Sequence, residues 1–303
     1  MNLKYLAIGI VFLLQSTIGF LGNFSLLSYY LIHYYIDQKL KTKDLIFTHL
    51  FTANSLVIVS SGMLVTIQAF GMKWLISDFG CSLLLYTQRL GRNMSVGTIC
   101  FLSVFQAVTI SPSDSCWKDL KVKVPKYIGP SISLCWVIYI VINLIFPVYL
   151  YIKKDSKNQT LKRDSKYCST VGYNEVTAWL FTAFCVLPEI LLSMIIAWSG
   201  GSMVVILYRH KQRVQHIHSS HVSIRVSPES RATKSILILV FTFLGFYALS
   251  AILRGWIALE YNSGWWLMNI TTMVSMCFPT LGPFIMNHNS IIIHKFLFFC
   301  MKN

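Results

Sequence analysis

The chain has 303 residues, 55% hydrophobic and only 12% charged, with 26 Lys and Arg against 11 Asp and Glu for a formal charge of +15. Soluble domains run near 45–50% apolar and about 25% charged, so this balance excludes a water-soluble globular protein. It also excludes a nucleic-acid-binding face, because a mostly lipid-embedded chain has no surface on which to gather that charge. Its expected neighbours are anionic membrane lipids and acidic cytosolic partners.

Charged residues leave seven long uncharged stretches: 5–36, 45–72, 93–113, 127–152, 190–208, 235–253 and 261–294. A membrane-crossing helix needs roughly 20 apolar residues. Five stretches exceed that length, and the two shorter ones adjoin lone charges, Glu189 and Arg254, that a helix can carry through. The pattern predicts an all-α membrane protein, a seven-transmembrane helix bundle forming one domain over 1–303. Its approximate spans are 5–34, 45–70, 81–110, 127–151, 175–208, 233–258 and 264–287.

The first stretch is too long for a signal-peptide core and lacks a small-residue cleavage site. Lys4 precedes it, whereas Lys39, Lys41 and Lys43 follow it, which puts the N-terminus outside and, with seven spans, the C-terminus inside. Under that orientation the inside segments hold 15 Lys and Arg and the outside segments 8, of which 6 sit in the single loop 151–175. Two features of that loop favour the outer side in spite of its charge. Asn158-Gln159-Thr160 is a glycosylation sequon in a polar setting. Cys168 lies in the same loop, and oxidising conditions outside would allow it to bridge to Cys81, where the third span emerges on that face. The sequons at Asn23, Asn93 and Asn269 fall within spans and are expected to be silent.

Polar groups in a span are costly and usually face the bundle interior. Arg89 and Arg92 lie 8 and 11 residues past Cys81, about 12 and 16 Å deep, and their i, i+3 spacing puts them on one helix face. Glu189, behind Pro188 in the fifth span, is the only acid deep in a membrane segment and a candidate counter-charge. These groups are read as a structural ion pair between spans three and five, as polar ligand contacts, Arg89 in particular, or as snorkelling or water contacts. Pro188 and Pro279 each remove an amide donor inside a span and so create hinges. The sixth span has no proline between Lys234 and Trp256 and is expected to move as a straighter rod. Arg254 and Glu260 are expected to snorkel to the interface, and Trp265-Trp266 reads first as an aromatic belt, with a pocket role for Trp265 as the alternative.

Of eight cysteines, Cys100, Cys135, Cys185 and Cys277 sit in apolar runs and read as small buried hydrophobes. Cys300, after the last span, is a plain thiol or a palmitoylation site. His210, His216, His218 and His221 read as a solvated basic loop rather than a metal site. No metal-ligand spacing, phosphate loop or nucleophile elbow occurs in the sequence, so neither an enzyme nor a cofactor is expected. Short loops confine function to the bundle, as a receptor or as a small solute transporter. Transporters are often built from internal repeats, and none relates the two halves.

Gly22-Asn23, Cys81, Trp136, Cys168, Pro188 and Pro279 together resemble the framework of rhodopsin-like G-protein-coupled receptors. Longer strings narrow the resemblance: LSVFQAVTISP from Leu102, Pro125-Lys126-Tyr127, LYRHKQRVQHIH from Leu207 and SPESRAT from Ser227. These are similar to the vomeronasal type 1 receptors, and the similarity covers essentially the whole chain. The resemblance implies a multi-pass plasma-membrane receptor that binds small pheromone-like molecules outside and activates a Gi/Go-type G protein inside.

Arg89, Arg92, Glu189 and Trp265 are then the candidate ligand contacts. Gln106, Arg209, Lys211, Arg213, Arg231 and Lys234 are the candidate G-protein-facing residues. Three features depart from the wider rhodopsin-like pattern. Phe105-Gln106-Ala107 stands where those receptors carry an acid-arginine-tyrosine lock, Asn54 where they carry a sodium-binding acid, and Phe278-Pro279-Thr280-Leu281-Gly282 in place of their asparagine-proline-tyrosine switch.

Overall fold

A computed structural model describes residues 3–37, 41–72, 77–112, 115–156, 162–164, 169–171, 175–217, 228–259 and 265–289. Its helices are α1 (Leu3–Asp37), α2 (Thr42–Ala69), α3 (Asp78–Ile110), α4 (Ser115–Ser156), α5 (Glu175–Ile217), α6 (Pro228–Leu259) and α7 (Trp265–Asn289). The helices overrun the apolar stretches: α4 starts at Ser115 rather than 127, and α5 runs to Ile217 rather than 208. Apolar length marks where a helix lies in lipid. Lys, Arg and Gln favour helix nearly as well as Leu, so the helix continues beyond the lipid.

Between α4 and α5, where the sequence reads as loop, two three-residue strands pair antiparallel. These are β1 (Lys162–Asp164) and β2 (Ser169–Val171), with Arg163 opposite Thr170. Asn158 and Cys168 lie outside the described residues, as do Glu260 and Cys300.

Among the described residues α1 to α6 are long and apolar enough to cross a membrane. In α7, Asn269, Thr271, Thr272, Ser275 and Thr280 interrupt the apolar run, together with Pro279 and Pro283. Large apolar side chains point outward throughout, among them Leu21 on α1, Val137 on α4, Trp198 on α5 and Ile252 on α6. Water would penalise such a surface, whereas hydrocarbon accommodates it. The interior holds polar groups beside its apolar core, with Asn23, Asn54, Ser61, Thr98 and Ser103 all buried.

Helix α3 occupies the centre of the bundle, against α2, α4, α5 and α6, while α7 closes against α1, α2 and α6. Met94, Ile99 and Leu102 of α3 are fully buried and share one core with Phe51 of α2, Ile132 of α4, Ile196 of α5 and Leu239 of α6. Gly91 lets α3 approach α2 closely, since a Cβ there would stand 2.8 Å from the Ala53 carbonyl oxygen. That approach sets the register of Arg92 immediately after it.

Helix α2 ends in a Schellman motif. Gly71 adopts φ +70, its amide donates to Gln68 O, and the Met72 amide donates to Ile67 O. Across the bundle, the proline in α7 has a specific consequence. Pro283 follows Pro279 by four residues and has no N–H, so the Pro279 carbonyl loses its helical donor. The Asn23 side chain of α1 supplies the replacement, donating from Nδ2 to Pro279 O at 2.8 Å.

Candidate functional site

A cavity opens between α3, α6 and α7, with Val57 of α2 on its wall. Arg92 and Ser95 come from α3, Tyr247, Ser250 and Arg254 from α6, and Ser275 from α7. Phe243, Phe246 and Phe278 supply the apolar part of the lining, with the Phe243 and Phe278 rings meeting edge to face at 4.8 Å. This mixture of aromatic wall and few convergent polar groups suits a small-molecule site.

Helix periodicity explains why these α6 residues converge. Phe243, Tyr247, Ser250 and Arg254 follow one another at spacings of four, three and four, which places them on a single face. Arg254 donates from Nη1 to Ser250 Oγ at 2.7 Å, and its guanidinium carbon stands 5.9 Å from the centroid of the Tyr247 ring. The expectation that Arg254 snorkels to the interface is therefore corrected: it turns inward onto the cavity wall, held by a hydroxyl and an aromatic face one and two turns earlier.

Glu189, half-buried on α5, accepts a short hydrogen bond on Oε2 from the Tyr247 hydroxyl. It thus reaches α6 rather than pairing directly with an α3 arginine, though Arg92 lies within the electrostatic reach of both Glu189 and Arg254. Among the described residues no side chain hydrogen-bonds to or ion-pairs with the Arg92 guanidinium. Arg89, one turn nearer the start of α3, is exposed and is not on the cavity wall. The structure thus brings Arg92, Arg254, Glu189 and Tyr247 together, with Arg89 exposed one turn away and still within electrostatic reach of Arg92. Trp265 opens α7, but its side chain lies outside the described residues.

Below the cavity, Ser95 Oγ donates to Asn54 Oδ1 at 3.0 Å, which ties α3 to α2 through two uncharged groups. Cys81, at the start of α3, is buried and disulfide-bonded. Its neighbour turn is fixed by Ser77, whose side chain caps the helix by accepting from the Gly80 amide at 3.2 Å.

At the opposite end of α3, Gln106 Nε2 donates to Thr233 Oγ1 of α6 at 2.8 Å, and both side chains are buried. Arg209 and Lys234 are exposed near this end of α5 and α6. Lys211 and Arg213 fall within α5 and Arg231 within α6, with side chains outside the described residues. Lys121 of α4 donates to the Ser111 carbonyl at 2.6 Å, placing a cation on the C-terminal end of α3.

Sequence reasoning missed Tyr247 and Thr233 and placed Arg254 at the interface instead of on the cavity wall. A signal was present in the polar residues at three- and four-residue spacing along an otherwise apolar α6.

Seven helices with lipid-facing outer walls, a half-polar chamber near one end and a buried α3 to α6 contact at the other define a multi-pass membrane protein of receptor type. Residues 6–299 match the model of the vomeronasal organ pheromone receptor family. Vomeronasal type-1 receptor 4 of Homo sapiens is 42% identical over 97% of this chain and 98% of its own length. Vomeronasal type-1 receptor 2 of Homo sapiens is 45% identical over 90% of this chain and 69% of its own length, and vomeronasal type-1 receptor 90 of Rattus norvegicus is 27% identical over 95% and 92%. The chain belongs to the vomeronasal organ pheromone receptor family, whose members are multi-pass proteins of the plasma membrane and not enzymes.

Proposed function

We propose that this receptor binds a small pheromone-like molecule from outside the cell in the chamber between α3, α6 and α7 and activates a Gi/Go-type G protein inside. The observation that carries this reading is that α3 and α6 meet twice. They share the chamber through Arg92, Tyr247 and Arg254, and they meet again through the Gln106 to Thr233 hydrogen bond. Arg92 and Gln106 are 14 residues apart on one helix, roughly 21 Å along its axis. A molecule that fits the chamber better when α6 has shifted therefore shifts the far contact as well. Equal affinity for both arrangements would move nothing. By linkage, a bound G protein tightens agonist binding by the same factor.

In this reading the N-terminus and the Asn158 loop face outward, Asn158 carries a glycan, and Cys81 bridges to Cys168. Arg92 and Glu189 contact the ligand's polar atoms directly or through Tyr247, with Arg89 and Trp265 nearer the entrance. Gln106, Arg209, Lys211, Arg213, Arg231 and Lys234 line or flank the crevice that receives the G protein.

The test uses the full chain reconstituted in lipid vesicles with a purified Gi/Go heterotrimer, screened against small volatile and steroidal compounds. Ligand-dependent nucleotide exchange supports the reading. Solute accumulation in the vesicles without exchange would favour a transporter instead.

A further inference from the structure

Two guanidiniums face one small chamber, and the acid nearest them is already engaged. Arg92 and Arg254 both line the cavity, while the Glu189 carboxylate takes the Tyr247 phenol. Arg254 is held by Ser250 and the Tyr247 ring. Among the described residues Arg92 has neither a hydrogen-bonding nor an ion-pairing partner, although its five N–H donors are strong and its charge is permanent. Arg92 is only part-buried, and a cation partly screened from water without such partners still carries some desolvation cost. Like charge from Arg254 adds to that cost, and one carboxylate cannot neutralise two guanidiniums. Ser250 and Ser275 also line the wall, Ser250 accepting from Arg254 and Ser275 donating to the Thr272 carbonyl. Among the described residues that arrangement lacks one negative charge.

We infer that the chamber holds a single anionic group between Arg92 and Arg254. It accepts from the Arg92 guanidinium, and its apolar attachments, if it has any, lie against Phe243, Phe246 and Phe278. The anion is either a free halide or a carboxylate-like group carried by the sensed molecule, and in the second case the inference rests on the receptor reading above. A neutral molecule would leave the charge excess in place.

The full-length protein in phosphatidylcholine nanodiscs is melted at constant ionic strength in four media: sodium gluconate, sodium chloride, gluconate with benzoate, and gluconate with benzyl alcohol. Chloride or benzoate is expected to raise the melting temperature above that in gluconate alone, and benzyl alcohol is not. Arg92→Gln abolishes the rise and Arg92→Lys, which keeps the charge, retains it.

A response to chloride assigns the site to a free halide. A response to benzoate alone assigns it to the anionic end of a larger ligand. The same melting temperature in all four media overturns the inference, as does a rise that persists in Arg92→Gln or one that benzyl alcohol matches. Where Arg92→Gln does not accumulate, the wild-type series and Arg254→Gln decide it. Because no G protein is present, absent coupling would sink the receptor reading and leave this result standing.

Discussion

Gln106 on α3 and Thr233 on α6 are joined by an uncharged hydrogen bond of 2.8 Å, both side chains buried, at the end of the bundle opposite the chamber. In the wider rhodopsin-like pattern this position on α3 carries an arginine within a charged lock. A neutral amide-to-hydroxyl contact is worth about 1 kcal/mol net, so α6 is restrained here by a weak tie, one that salt hardly screens because it involves no net charge.

Replacing Thr233 by Val keeps the shape and removes the acceptor. We expect basal, ligand-free nucleotide exchange to rise roughly fivefold, the equivalent of about 1 kcal/mol, and to do so equally at low and high salt. Gln106→Leu should act in the same direction, and the double variant should add little to either single one. Basal exchange that stays at the wild-type rate in both variants would mean the contact does not restrain α6.

Asn23 and Pro283 form a second testable pair through the Pro279 carbonyl. Asn23→Ala removes the donor that Pro283 cannot supply and leaves a buried acceptor unsatisfied, a loss of about 1–3 kcal/mol. Pro283→Ala restores a helical N–H to that carbonyl. The melting temperature of Asn23→Ala should therefore fall, and adding Pro283→Ala should recover part of it. Independent, additive effects in the double-mutant cycle would refute the substitution of one donor for the other.

Cys81→Ser and Cys168→Ser should each reduce surface expression strongly, and the double variant should be no worse than either single one. Loss of a native disulfide costs about 2–5 kcal/mol. Unequal single variants, or a double variant worse than both, would give Cys81 a different partner.

Asn158→Gln should remove a band shift that peptide-N-glycosidase also removes, when the protein is expressed in mammalian cells. A chain whose mobility is unaffected by the enzyme would speak against an outward-facing loop between α4 and α5.

Much of the architecture could be read in advance, because charge is excluded from lipid and its gaps count the helices. Pro279 and the arginines of α3 stood out because a missing amide donor or a charge is costly within a span, whereas Asn23 was noted only as a silent sequon and as part of the receptor framework. What escaped was partnership. Nothing in the chain order says that Asn23 answers Pro283's missing N–H, or that Glu189 bonds to Tyr247 across α5 and α6 rather than pairing directly with an α3 arginine. Arg254 was misjudged because a charge near the end of an apolar stretch has two ways to lower its energy, outward to water or inward to a hydroxyl and a ring. Only the packed bundle decides between them. Helices α4 and α5 run beyond their apolar spans because hydropathy reports solvent and says nothing of backbone continuation.

One face of α6 carries Thr233, Ile236, Val240, Phe243, Tyr247, Ser250 and Arg254 in alternating steps of three and four, and no proline lies between Lys234 and Trp256 to interrupt it. Such a helix works as an axle. In the function proposed above, a small twist imposed at Arg254 would reach Thr233 along this face, past Gly245, and agonist recognition would need to turn the shaft only far enough to misalign one amide from one hydroxyl.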